Sequence, residues 1–263
     1  MTELDGAIGL ADASRRVNLA GLWAWVRGGG WRGPYINEDA ETWIDANVAA
    51  VPALAADPHA DVPALARQWI TQRLGCTDPA AVETLMRVLM HAPDTILKTF
   101  YVEPYARARR DPWLPSGRFI RDDVVDAEAG WRIIQQLPDP ALDRAIAEKQ
   151  QAVDRLAADG QALHEVAEDL APPVGRKLAH TMDYAETFAQ TLRDLVAGLV
   201  AARRHSARPD QTLARAAIDR LGAAQRAWVH HTQRVAAYPG TATAFESETL
   251  FEFTQQMIEQ IGV

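Results

Sequence analysis

The chain has 263 residues, 48% apolar and 24% charged, a balance that can bury a globular core. Its 27 Lys and Arg against 35 Asp and Glu give a formal charge of −8, which speaks against a nucleic-acid partner, because phosphate contacts need a basic face. One cysteine, Cys76, permits no internal disulfide, no basic n-region precedes an apolar run, and no stretch reaches the roughly 18 apolar residues of a membrane span, so the expectation is a soluble, cytoplasmic protein with no membrane partner.

In chain order, residues 17–35 (VNLAGLWAWVRGGGWRGPY) carry the one strand signal. Leu22, Ala24 and Val26 alternate with Trp23, Trp25 and Arg27, the period of a strand, and three glycines follow. A glycine run between aromatics marks a backbone that needs positive φ or close approach. Two readings stand. The flat rings and Arg27 line a pocket for a sugar and a carboxylate, or a twisted strand fills core with its tryptophans. Gly28, Gly30 and Gly33 also match G-x-G-x-x-G, but helices follow where a dinucleotide fold needs a second parallel strand, so a nucleotide site is not expected.

Glu38 to Ala56, Val62 to Leu74 and Pro79 to His91 read as three shorter helices, with Asp61 and Asp78 as N-caps and Gly75 as a C′ residue. Tyr101 to Arg121 reads as a structured loop with an arginine cluster at Arg107, Arg109 and Arg110, and Asp122-Asp123 then opens a helix through Gln136. From Pro138 three long segments alternate apolar spacings of three and four. The first runs Leu142, Ile146, Lys149, Val153, Leu156 and resumes at Leu163 after Gly160. The second runs from Leu178 to Leu199, and the third runs Leu213, Ala217, Leu221, Ala224, Trp228, Val235. Pro172-Pro173, Ser206 to Pro209 and the Ala-Tyr-Pro-Gly at 237–240 punctuate them, and a short amphipathic helix from Glu248 to Ile261 ends the chain.

The fold class expected is therefore mainly α: long antiparallel helices in a bundle, with shorter N-terminal helices and one N-terminal β-strand and Gly-rich loop. Three regions follow, 1–37, 38–137 and 138–263.

Catalytic and metal signals are weak. His164-Glu165 with Glu168 lacks the second histidine of H-E-x-x-H, and no E-x-x-H pair occurs. His230 and His231 point about 100° apart on one helix and read as surface and boundary residues. Cys76 reads as a lone buried thiol, and the pairs Glu38-Asp39 and Asp122-Asp123 as acids favoured at helix starts. No catalytic residue, metal ligand or cofactor is assigned.

GLWAWVRGGGWRGPY at 21–35, followed by a helix and by ADPHADVPALARQWITQRLG, resembles the last barrel strand and following helices of an α-glucuronidase-like group of glycoside hydrolases. Asp57-Pro58, Leu65-Ala66, Gln68-Trp69 and Leu74-Gly75 take the matching places, with Gln68 where an acid is expected, and the helix around Ala147 to Val153 is similar to the family's first long C-terminal helix. The resemblance implies removal of glucuronic acid side groups from xylan-derived oligosaccharides. It puts Trp25, Arg27, Trp31 and Tyr35 at the mouth of a (β/α)8 barrel, with Asn37 and Glu38 beside them.

Hydrolysis needs two carboxylates that such enzymes place on earlier strands, and a barrel takes roughly 250 residues by itself. The chain thus resembles the C-terminal part of such a glycosidase without its catalytic pair. The partners implied are a uronic-acid-containing oligosaccharide and either a second copy of this chain or a separate barrel chain. A structural alternative is a non-enzymatic helical dimerisation module. In either case the expectation is that residues 19–27 pair with a copy in another subunit or are forced into irregular structure under the helices.

Overall fold

A computed structural model describes residue 16 and residues 42–102, 120–121, 124–236 and 248–262. Over these the chain is almost all helix: α1 Thr42–Ala56, α2 Val62–Gln68, a π-turn Trp69–Arg73, α3 Pro79–Phe100, α4 Ala127–Gln136, α5 Asp139–Val166, a 3-10 turn Ala167–Asp169, α6 Pro172–Ala207, α7 Gln211–Ala236 and α8 Glu248–Ile261. One short pairing interrupts them: β1 (Ile120–Arg121) runs antiparallel to β2 (Val124–Val125), with Ile120 opposite Val125. No helix among the described residues is long and apolar enough to cross a membrane.

Local chemistry sets the helix starts. Proline occupies the first turn of α2, α3, α5 and α6, where its missing N–H leaves no hydrogen bond unmade. Asp78 caps α3 by accepting from Ala81 N–H at 2.8 Å, and Gly75 takes the expected left-handed conformation at φ 66°. Asp61 sits at the N-cap of α2 but makes no side-chain cap bond.

Two boundaries differ from those expected. The helix before the long segments begins at Ala127, because Asp126 accepts from Ala129 N–H at 2.7 Å while Val124–Val125 is drawn into the strand pair. Meanwhile α3 runs nine residues past His91, through Pro93, to Phe100. Pro93 removes one ladder bond, and packing of the last turns on α5 offsets it. There Thr95 and Thr99 are buried, and Asp94 receives both Lys98 and Arg155 of α5. Burial pushes the Asp94 carboxyl up, but the hydrogen bonds and charges of Lys98 and Arg155 outweigh it and hold the group below its usual range.

The four long helices form an antiparallel bundle, as their cross-links show. Between α5 and α6, His164 meets Asp183 and Asp143 meets Arg204; between α6 and α7, Asp183 meets Arg234 and Asp194 meets Arg220. Between α3 and α5, Asp94 meets Arg155 and His91 lies 3.9 Å from Asp159. In every pair of helices one number rises as the other falls. α6, at 36 residues roughly 54 Å long, is the axis on which both cores sit. Its C-terminal half (Leu192, Leu195, Leu199) packs with α4, α7 and α8. Its N-terminal part (Leu178, Met182, Ala189) packs with α3, the end of α5 and the π-turn.

Candidate functional site

The helix that follows the 21–35 motif is α1, and its side chains meet the turn after α2. There the backbone widens: Leu74 N–H reaches Trp69 O and Cys76 N–H reaches Ile70 O. Wide turns of this kind recur at functional positions. This one brings Trp69 and Arg73 onto one carboxylate of α1. Asp45 accepts from Trp69 Nε1 at 2.8 Å and from Arg73 Nε at 2.8 Å, and the Trp43 and Trp69 rings lie 6.5 Å apart. A cleft of about 310 Å³ opens beside them, with Pro52 and Ala53 on the α1 side and Gln68, Gln72 and Arg73 opposite. Its polar groups are already engaged: Gln68 donates to Gln72 at 3.1 Å, and Arg73 is consumed by Asp45. The arrangement anchors α1 to α2, and an anion would have to displace Asp45 to bind there.

The second polar centre lies in the α6–α7 seam. His231 is fully buried, with its Nδ1 2.9 Å from Thr187 Oγ1 and its ring centroid 4.7, 5.2 and 5.3 Å from those of Tyr184, Phe188 and Trp228. Its Nε2 has no partner among the described residues. Burial, with a smaller push from the charge of His230, lowers its pKa to about 4, so the ring is neutral at pH 7, with one nitrogen a donor and the other an acceptor. This corrects the expectation that both histidines lie at the surface or boundary: His230 is exposed and His231 is core. The signal was present, because Leu221, Ala224, Trp228 and His231 continue the three-and-four spacing of α7.

The third centre is Lys149, which the apolar stripe of α5 had already included. Its ammonium donates to the carbonyls of Lys98 and Tyr101 at the end of α3 and to Glu148 Oε1 at 3.0 Å, with both Lys149 and Glu148 buried. It binds the carbonyl end of α3, where the helix dipole favours a cation. Cys76 is buried, as expected, and burial raises its pKa, so its thiol is unsuited to nucleophilic work.

Trp25, Arg27, Trp31, Tyr35 and Asn37 lie outside the described residues, as do Glu38, Asp39, the strand at 19–27, Asp122, Asp123 and residues 237–240. Of the positions that carry the resemblance further on, Leu65 and Ala66 lie in α2, Gln68 ends it, and Trp69 opens the π-turn. The class defined by the described residues is a mainly α-helical bundle in which the polar centres on its axis serve packing. No protein-family model, curated protein or solved structure matches the chain.

Proposed function

We propose that this chain is the helical C-terminal region of an α-glucuronidase-like glycoside hydrolase, binding uronic-acid-substituted oligosaccharides through residues 21–35 without supplying the catalytic carboxylates. The observation that carries the reading is the motif GLWAWVRGGGWRGPY, which combines three tryptophans, a tyrosine and two arginines with a glycine run that lets the backbone approach a ligand. In this role Arg27 pairs with the uronate carboxylate, and Trp25, Trp31 and Tyr35 offer ring surface to the sugar, with Asn37 beside them. The non-catalytic part rests on the same resemblance: glycoside hydrolysis needs two carboxylates, which the related enzymes carry on earlier barrel strands.

Calorimetric titration with glucuronic acid tests this. Binding by the intact chain that disappears in Arg27→Ala, with unchanged thermal stability, supports it. Absence of binding to the intact chain overturns it.

A second reading is a helical module that associates with its own copy. It is supported by large apolar side chains left in solvent, Met90 and Ile96 on α3 and Val229 on α7. A native mass of 28.9 kDa at micromolar concentration would rule it out.

A further inference from the structure

A cleft of about 400 Å³ lies at the opposite end of the bundle from α1, between α4, the end of α6 and α8. That volume is in the range of small-molecule sites. Its apolar lining includes Trp131 of α4 and Phe253 and Met257 of α8, the two rings half-buried and Met257 buried. Its polar lining includes His205 at the end of α6 and Gln256 and Gln260, which share one face of α8 at i and i+4.

These polar groups keep hydrogen-bonding capacity to spare among the described residues. The amides of Gln256 and Gln260 and the indole N–H of Trp131 make no hydrogen bond to the described residues. His205 is held through Nδ1 alone, 3.0 Å from Asp210 O and 3.1 Å from Asp210 N, so its Nε2 stays uncommitted. Among the described residues no Lys, Arg, Asp or Glu lines the cleft. Among those residues an anion would find no lysine or arginine there, and a cation would find no carboxylate. The ligand that matches is uncharged, with an apolar face and a ring of donors and acceptors at its edge. A pyranose has that pattern, with C–H groups on its faces and hydroxyls around its rim.

We propose that this cleft is a binding site for a neutral saccharide, with Trp131 and Phe253 contacting the sugar face and His205, Gln256 and Gln260 its hydroxyls. The site shares no residue with 21–35 and stands independently of the uronate reading.

The test follows the Trp131 indole N–H in an ¹H–¹⁵N spectrum, identified by its loss in Trp131→Phe, while cellobiose, xylobiose or maltose is added at millimolar concentration. A saturable shift with at least one disaccharide, weakened about tenfold in the Gln256→Ala/Gln260→Ala double variant, is the expected result. Both glutamines are exposed, so the double variant keeps its fold, which far-UV circular dichroism verifies. The proposal is overturned if no disaccharide moves the resonance, if the double variant binds equally well, or if glucuronic acid competes with equal affinity. Arg27→Ala leaves this binding unchanged while removing any uronate binding at 21–35, so the two readings fail separately.

Discussion

Thr187 and His231 meet across the α6–α7 seam, with the hydroxyl 2.9 Å from Nδ1 and the far nitrogen of the imidazole without a partner among the described residues. The folded chain therefore holds a neutral histidine that the unfolded chain protonates near pH 6.5.

The sign of the pH dependence follows. With the folded pKa lowered to about 4, the unfolded state binds the extra proton between about pH 6.5 and 4. Stability from this group is complete above that window, falls through it as pH falls, and levels off below it, a loss of about 3 kcal/mol. Urea unfolding of the wild type and His231→Gln isolates the effect. The stability difference between them narrows as pH falls from 7 to 4, and a constant difference contradicts the assignment.

Lys149→Met is expected to destabilise the fold by about 3–5 kcal/mol, because the carbonyls of Lys98 and Tyr101 and the Glu148 carboxyl lose the buried ammonium that they share. The double variant Lys149→Met/Glu148→Gln recovers part of that loss. Chemical denaturation reads both, and equal stabilities of the single and double variants would remove the electrostatic explanation.

Asp45 is expected to matter through Trp69 more than through Arg73. Asp45→Ala leaves the buried indole N–H without its acceptor, at about 1–3 kcal/mol, whereas Asp45→Asn retains an acceptor oxygen. Arg73 is largely exposed, and Arg73→Ala should cost under about 1 kcal/mol. A thermal melt ranking Arg73→Ala as the most damaging of the three would reverse this assignment.

Two helical glycines give opposite expectations. A Cβ at Gly198 would lie 2.7 Å from Cδ2 of Leu221 and 3.0 Å from its backbone nitrogen, so Gly198→Ala pushes α6 and α7 apart and costs about 1–3 kcal/mol. At Gly160 the nearest atom is Met182 Cβ at 3.5 Å, an ordinary contact, and Gly160→Ala gains about 0.5–1 kcal/mol of helix preference. Differential scanning calorimetry should show melting temperatures moving in opposite directions.

The long helices were legible because a buried seam imposes its spacing on the residues that fill it. The stripe from Leu142 to Leu156 became the core face of α5, Lys149 included, and the last helix runs from Glu248 to Ile261 as the amphipathic pattern indicates. Helix ends governed by distant contacts were not legible. Pro93 reads locally as a stop, and contacts with α5, such as that of Asp94 with Arg155, 61 positions away, carry α3 past it. Asp126 competes locally with two earlier aspartates, and the strand pairing of Val124 with Arg121 decides among them. His231 reads as a surface or boundary residue because a histidine counts as polar, although its position in the seam spacing places it inside. In the candidate site, Trp69 was singled out by resemblance alone, since its acceptor Asp45 lies 24 residues earlier with no local pattern joining them.

The measurement that tests the central claim most directly is a single NMR experiment on the intact chain mixed with a glucuronic-acid-substituted xylo-oligosaccharide. The account predicts broadening of the uronate resonances by binding, with no free glucuronic acid released over hours. Steady release of free glucuronic acid, or uronate resonances that stay as sharp as without protein, would contradict it.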